Sequence, residues 1–152
     1  MSRLLVVDTD VIRAAGKTDH PVSRASREIL SAILKICHQV TYTESLREEW
    51  NEHQSRFSSR WRTAMAARQK PIKIGKEVPV ALPRDDLSEK NRRVIEKDRH
   101  ILQAALAADK IIVTLEKELR DALSSTQKTR KVMDSIKWVH PVTDGVECLE
   151  NL

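Results

Sequence analysis

The chain has 152 residues, of which 40% are hydrophobic and 32% are charged, and it contains only three glycines. This composition predicts a single globular domain over residues 1–152 and excludes a membrane span, a disulfide scaffold and a glycine-rich phosphate loop. The net charge of +5 suits a polyanionic partner such as nucleic acid. Cys37 and Cys148 are isolated in the sequence, and we expect them to be buried, reduced thiols of a cytoplasmic protein.

The first predicted element is a strand that ends in two carboxylates. Leu4–Val7 is a continuous apolar run, which is typical of a parallel strand buried on both faces. Asp8 and Asp10 follow it, at the edge of the sheet where open α/β folds bind ligands. We therefore predict that Asp8 opens an active site that holds a metal ion. The alternative is that both aspartates are turn or helix-capping residues.

Helical and strand patterns alternate along the rest of the chain. They predict helices at about 21–37, 43–69, 87–108 and 116–125, strands at 39–42, 111–114 and 136–139, and a short last helix near 144–149. The pattern allows a break near Ser58 and a bend in the helix at 87–108. Prolines interrupt the basic segment 70–87, which predicts a loop. The alternation predicts a three-layer α/β/α fold around a parallel sheet of four or five strands.

Two acidic residues lie in unusual positions on the predicted helices. Asp98 is in the middle of an apolar face, where a carboxylate needs a cation, a basic partner or a helix N-terminus. The alternative is that a new helix starts at Asp98 and that Asp98 caps it. Glu49, at the edge of an apolar stripe, can reach the end of the sheet, with Glu44 and Glu48 as fallbacks and an ordinary surface glutamate as the alternative. His100 is expected at the surface or in contact with substrate.

A further acid, Glu116, comes two residues after the predicted strand at 111–114. The carboxyl ends of parallel strands open on the same side of a sheet, so four acids can converge there. They are Asp8, Asp98, Glu116 and Glu49. Oxygen ligands without cysteine or histidine suit Mg²⁺ or Mn²⁺. One or two such ions would activate a water and stabilise the leaving oxygen of a phosphodiester.

A basic run without any acidic residue lies between His53 and Lys76. Its members are Arg56, Arg60, Arg62, Arg68, Lys70, Lys73 and Lys76. Their charge exceeds the net charge of the chain and predicts RNA phosphate contacts that weaken with salt, with a solvated face as the alternative. Trp50, Phe57 and Trp61 interleave with this run. Base stacking is one role for them, and we favour an oligomer seam or a partner groove.

Four segments, taken in order, resemble the PIN-domain (PilT N-terminus) family, which includes the toxin ribonucleases of VapC type. They are LLVVDTDVI at 4–12, TYTESLREEW at 41–50, DRHILQAALAADKIIVTLE at 98–116 and IKWVHP at 136–141. The resemblance implies a parallel-sheet fold, an acidic divalent-metal site, metal-dependent cleavage of RNA and a homodimer. If the chain is a toxin, we expect a small acidic antitoxin that covers the basic groove or inserts a cation into the acid cluster.

The resemblance assigns site residues one by one. Asp8 matches the first acid of the family, Glu49 the glutamate of its second helix region, and Asp98 the aspartate that opens its alanine-rich helix. Asp10 departs from the family, which more often has Asn or Ser there, and we assign it a secondary role as an outer ligand or helix cap.

The acid after the fourth strand is a second departure. Glu116 stands where the family has an aspartate after the threonine of the fourth strand, here Thr114, which we count as a secondary site residue. The segment 70–87 has no family counterpart, and a substrate clamp or a lid is its expected role.

Two other functions compete with the nuclease. A haloacid-dehalogenase-like phosphatase has a strand followed by two aspartates at this spacing, with Asp8 as nucleophile and Asp10 as acid/base, and Thr114 imitates its second motif. Its late Gly-Asp metal motif has no counterpart after Thr114, and it leaves Asp98 without a role. The third possibility is a PIN-like module that binds RNA or a partner without catalysis.

Overall fold

A parallel five-stranded sheet forms the centre of the computed structural model, which describes residues 2–74, 78–83 and 86–152. The strands are β1 Leu4–Val7, β2 Gln39–Tyr42, β3 Pro71–Lys73, β4 Ile111–Val113 and β5 Lys137–Val139. Their order is β3-β2-β1-β4-β5, and every neighbouring pair is parallel. The predicted parallel sheet is confirmed, with β1 at its centre as the continuous apolar run requires.

Helices cover both faces of this sheet. They are α1 Thr9–Ala14, α2 Pro21–Ile36, α3 Glu44–His53, α4 Arg56–Ala67, α5 Glu89–Lys97, α6 Arg99–Leu106, α7 Glu118–Leu123, α8 Gln127–Asp134 and α9 Glu147–Glu150. Right-handed crossovers that run in opposite directions along a sheet place their helices on opposite faces. The predicted three-layer α/β/α architecture is therefore confirmed. Within the described part of the chain, each helix is too short or too polar to cross a membrane.

The strand order reverses at β1, and this reversal fixes where a crevice opens. The chain winds from β1 through β2 to β3 and then returns to the other side of β1 to form β4. Val6 pairs with Ile112 and Val7 with Val113, so β1 and β4 end side by side. The crevice beyond the carboxyl ends of such strands is the usual ligand site of open α/β sheets.

Two predicted helices are each divided in the structure. The helix at 43–69 breaks at Gln54 and Ser55 rather than near Ser58, because Ser55 caps α4 in a reciprocal capping box with Ser58. The helix at 87–108 breaks at Asp98, which lies between α5 and α6. A periodic apolar face continues across both breaks, so periodicity alone did not locate them.

The segment at 70–87, predicted as a loop, is partly a strand. Pro71–Lys73 forms the edge strand β3, where a proline at the first position costs no ladder hydrogen bond. The residues of β3 do not alternate between buried and exposed. Its sequence therefore lacks the apolar–polar alternation that predicts a strand. The prediction also omitted α1 and α8. Lys76 and residues 75, 77, 84 and 85 lie outside the described residues.

The aromatic stripe lies in the core of the chain itself. Trp50 and Trp61 are 2% and 4% exposed, and their indole N–H groups donate to the carbonyl oxygens of Val7 at 3.1 Å and Leu30 at 2.7 Å. The expectation of an oligomer seam or partner groove is therefore wrong for both tryptophans. The expected burial of Cys37 is also wrong, because this residue is exposed at the left-handed C-cap of α2.

Candidate metal centre

Asp8 projects its carboxylate from the end of β1 toward β4. It occupies the N-cap position of α1, but its side chain makes no capping hydrogen bond. Instead, the Thr114 hydroxyl donates to Asp8 Oδ2 at 2.8 Å, and the Asp8 backbone N–H donates to the Val113 carbonyl at 2.9 Å. Only 8% of Asp8 is exposed. The carboxylate is therefore held inside the crevice rather than used to cap α1.

Asp10 crosses the same crevice from the first turn of α1. Its Oδ2 accepts from the Leu115 backbone N–H at 3.1 Å and lies 3.2 Å from the Thr114 hydroxyl. The Thr114 oxygen also accepts the backbone N–H of Glu116 at 3.2 Å. One threonine thus links the strand ends to two aspartates and to the backbone of a third acid.

Three of these acids form a compact group. Asp8, Asp10 and Glu116 each offer a carboxylate oxygen, and these oxygens all lie within 4.8 Å of one another. Oxygen-only donors at this spacing suit a hard divalent cation. We call these three residues the acid triad. Asp10 belongs to it, although its predicted role was secondary.

Asp98 lies beside the acid triad. It is 8% exposed, and although it occupies the N-cap position of α6, its side chain makes no capping hydrogen bond. Burial, then the negative charges of Asp8 and Glu116, raise the pKa of Asp98 to about 7. The structure therefore brings this carboxylate close enough to the triad for the charges to interact, although Asp98 is not one of its three members.

Glu49 faces the same region from α3. The Thr9 hydroxyl donates to Glu49 Oε2 at 2.9 Å, and His100 Nε2 lies 3.5 Å from Glu49 Oε1. The negative charge of Glu49 contributes to the raised pKa values of Asp8 and Asp98. The side chain of Glu49 remains 42% exposed, so it lies at the rim of the crevice.

The neighbouring residues on α3 and α6 differ in position. Glu44 is exposed and lies 3.2 Å from Lys73, and Glu48 is exposed as well. Glu49 is thus the member of the three glutamates that faces the acids. The side chain of His100 is only 14% exposed, so a surface position is wrong, whereas the alternative of a substrate contact stays a prediction.

The acids raise one another's pKa values. Burial raises the pKa of Asp8, burial and then the charge of Asp8 raise that of Asp10 to about 7, and both effects raise that of Glu116. In the described part of the chain, no lysine or arginine lies within ion-pair distance of these acids or of Asp98. A bound cation would supply the missing positive charge, so the residues fit a divalent metal.

The described members of the basic run do not form one patch. They begin on α4, which is about 18 Å long at 1.5 Å per residue, and continue beyond its end. At its far end, Arg68 donates to the Leu34 carbonyl at 3.4 Å and Lys70 to the Cys37 carbonyl at 3.3 Å. Arg56 and Arg60 are exposed near its start, Arg62 is half-buried, and Lys73 pairs with Glu44. The structure therefore spreads these charges over several surfaces.

Sequence reasoning missed Thr9 and did not predict that His100 lies beside Glu49. The Thr9 hydroxyl and the His100 ring both contact Glu49. Only the packing of α1, α3 and α6 brings them together. The sequence contained a weak signal for the role of Thr114 in linking the acids, because Thr114 follows β4 directly, as Asp8 follows β1.

Comparisons of the chain with family models, curated proteins and solved structures give no match. The parallel α/β sheet with an acidic cluster is loosely compatible with a PIN-like fold. Any assignment of function must therefore rest on the geometry of the crevice.

Proposed function

We propose that this chain is a divalent-metal-dependent endoribonuclease with a PIN-like fold. The observation that carries the proposal is the acid triad at the switch point between β1 and β4, with the buried carboxylate of Asp98 beside it. Within the described residues these four acids have no lysine or arginine at ion-pair distance, so they are costly to keep ionised at neutral pH. An acid cluster of this kind is consistent with a cation site in a crevice where ligands bind.

The acid triad would hold the metal, and Asp98 and Glu49 would complete its surroundings. A bound Mg²⁺ or Mn²⁺ ion would supply Lewis acidity that lowers the pKa of water and stabilises charge on phosphoryl oxygens. The donor set is made of carboxylates alone, which favours these hard ions over zinc or copper.

The protein groups around the triad orient its members. The Thr114 hydroxyl and the Leu115 N–H fix Asp8 and Asp10. The Thr9 hydroxyl donates to Glu49 at the rim, where Glu49 can accept a proton from water entering the crevice.

RNA is the substrate that we propose, because the chain carries a net charge of +5, which favours a polyanionic ligand. A polyanion can approach the acidic centre only if positive charges nearby offset the repulsion. Lys97 is exposed, and its positive charge lowers the pKa values of Asp98 and Glu116, so it lies close enough to offset part of the repulsion. A toxin role with an antitoxin partner, and assembly as a homodimer, belong to the same proposal.

The haloacid-dehalogenase-like phosphatase is the second candidate. Its favourable observation is that Asp8 and Asp10 share the crevice and the Thr114 hydroxyl. Asp98 weighs against it, because a nucleophile and an acid/base at Asp8 and Asp10 leave this third buried acid without a chemical task.

Cleavage assays with single-site variants test the proposal. A labelled RNA and p-nitrophenyl phosphate are incubated separately with the protein in Mg²⁺, in Mn²⁺ and in chelator. Asp8→Asn and Asp98→Asn keep the side-chain volume and remove the charge, and Asp134→Asn, which is exposed on α8, is the matched control. We expect metal-dependent RNA cleavage that falls at least ~100-fold in the two site variants and is unchanged in the control.

Two other results would each point elsewhere. Hydrolysis of p-nitrophenyl phosphate that needs Asp8 and not Asp98 would replace the nuclease with the phosphatase. RNA binding that survives both substitutions, without cleavage under any metal, would leave a non-catalytic RNA-binding module.

A further inference from the structure

A cavity of about 410 Å³ lies between α3, α4, β2 and the edge strand β3. Tyr42, Pro71 and Ala66 line it together with the side chains of Arg47 and Arg62. Its volume is in the range of pockets that hold small organic ligands. The cavity therefore has room for a ligand the size of a mononucleotide.

This cavity is separate from the acid triad. Arg47 and Glu49 are two residues apart on α3, which places their side chains about 200° apart around the helix. Glu49 faces Thr9 and His100, whereas Arg47 lines the cavity. A ligand here would lie on the other side of α3 from the proposed metal centre.

The guanidinium of Arg62 is fixed in the cavity wall without a countercharge. It stacks 5.4 Å from the centre of the Trp50 ring, and its Nη1 donates to Asn51 Oδ1 at 2.8 Å and Gln54 Oε1 at 2.9 Å. Both acceptors are neutral amides. Across residues 2–74, 78–83 and 86–152, no carboxylate lies within ion-pair distance of Arg62.

A second arginine adds to this positive charge. Partial burial, then the charge of Arg47, lower the pKa of Arg62. The Arg47 guanidinium is 3.9 Å from Glu44, and Lys73 shares the same carboxylate at 3.2 Å. Arg47 and Lys73 thus share one acid, and Arg62 beside Arg47 has none within ion-pair distance in the described residues, so an anion with several oxygens would relieve the imbalance.

The remaining walls are suited to a flat ring. Tyr42 is half-buried and its ring centre is 6.1 Å from that of Trp50, with the ring planes tilted by 47°. Pro71, Met65 and Ala66 complete an apolar surface. Nucleobases bind readily to aromatic and apolar walls of this kind, largely independently of base identity.

We propose that this cavity binds a nucleotide, with its phosphate on Arg47 and Arg62 and its base against Tyr42 and Pro71. The nucleotide is either free or part of an RNA chain, since both present the same phosphate and base. The site goes beyond the proposed ribonuclease function and does not depend on it, because none of its residues belongs to the acid triad.

Titration calorimetry in low-salt buffer with chelator tests this site apart from any metal. The ligands are adenosine 5′-monophosphate, adenosine, inorganic phosphate and a hexa-adenylate RNA. We expect the monophosphate to bind wild-type protein, and Arg62→Gln to weaken binding ~10-fold or more, because charge-assisted hydrogen bonds to phosphate are lost. Arg24→Gln, which removes an exposed arginine from α2, should bind as wild type does.

Two further variants keep the test valid if Arg62→Gln does not fold. Arg47→Gln removes the second guanidinium, and Ala66→Trp fills the cavity from an exposed position on α4. Both should weaken binding of the monophosphate. Unchanged binding in the folded variants would overturn the proposal.

The ligand series decides what the cavity recognises. RNA that binds at least as tightly as the monophosphate would support a site on the RNA path, and binding of the monophosphate alone would support a pocket for a free nucleotide. Adenosine or inorganic phosphate that binds as tightly as the monophosphate would overturn the proposal, because base and phosphate would not be recognised together.

Discussion

Thr114 is the residue on which the geometry of the acid triad depends most directly. Its hydroxyl donates to Asp8 and also lies within reach of Asp10, and it accepts the N–H of Glu116. A hydroxyl has a single hydrogen, so the two aspartates share one donor. This sharing holds two carboxylates close together, where a divalent cation can bind both.

Thr114→Val should impair the site without unfolding the protein. Valine keeps the shape of threonine and removes the hydroxyl, so Asp8 and Asp10 lose a common donor. We expect RNA cleavage to fall ~10-fold or more, with a higher Mg²⁺ concentration at half-maximal rate. Thr114→Ser restores the hydroxyl and should recover most of both values. Equal activity in the valine variant would contradict this role.

The stability of the metal-free protein should fall between about pH 4 and pH 7. Burial, together with neighbouring charges, raises the pKa values of Asp10 and Asp98 from 3.8 to about 7 in the folded state. Over this range the unfolded chain releases protons that the folded chain keeps, so folding becomes less favourable as the pH rises. We expect the Tm in chelator to be at least ~4 °C lower at pH 8 than at pH 5.

Added Mg²⁺ should reverse much of this loss at pH 8, because an ion that binds only the folded state stabilises it. Asp98→Asn, measured in chelator, should show a smaller drop in Tm with pH than wild type. A Tm that rises from pH 5 to pH 8 without metal would contradict the assigned cause.

At the scale of the elements, serine side chains cap the N-termini of α4 and α5. Ser55 caps α4 by accepting from the Ser58 N–H at 3.0 Å, and its hydroxyl also donates to the Ala15 carbonyl at 2.6 Å just after α1. Ser88 caps α5 by accepting from the Asn91 N–H at 3.1 Å. The first cap therefore joins two elements, whereas the second serves its own helix.

Ser55→Ala should destabilise the protein more than Ser88→Ala. Loss of either cap costs about 1 kcal/mol, and Ser55→Ala also removes the donor to Ala15. We expect a free energy of unfolding about 2 kcal/mol lower for Ser55→Ala and about 1 kcal/mol or less for Ser88→Ala. Urea unfolding followed by circular dichroism measures both. Equal losses would show that the bond to Ala15 contributes nothing measurable.

At the scale of the whole molecule, His38 connects segments that are distant in sequence. Its Nδ1 accepts the Arg3 backbone N–H at 3.0 Å, and its Nε2 is 2.8 Å from the Leu149 carbonyl. The residue is buried immediately before β2, and it connects the segment that enters β1 to the last helix, α9. The two bonds fix the neutral tautomer, with the proton on Nε2.

His38→Phe should lower stability without affecting the chemistry of the crevice. The ring volume is kept, while the Arg3 N–H and the Leu149 carbonyl lose a buried partner, at a cost of about 1–3 kcal/mol for each group. We expect a Tm about 5–10 °C lower, with metal-dependent cleavage per folded molecule unchanged. The acid triad lies at the carboxyl ends of the strands, whereas His38 lies at their amino ends. A selective loss of activity would therefore contradict this separation.

The sequence by itself determined the alternation of strands and helices and therefore the parallel three-layer fold. It did so because burial on both faces leaves a continuous apolar run such as Leu4–Val7, and an amphipathic stripe marks α2. It also indicated Asp8, Asp98 and Glu116 as acids in unusual places. Each of these signals is local, so a pattern of residue types can carry it.

Only the tertiary structure decided which side chains meet. The position of Asp10 in the acid triad depends on the distance between α1 and the end of β4, which no local pattern encodes. The dispersal of the basic run depends on where the end of α4 packs, because Arg68 and Lys70 after it reach the carbonyls of Leu34 and Cys37, away from Arg56 and Arg60. Strand pairing and helix packing fix such distances between residues far apart in the chain, so they exist only once the chain has folded.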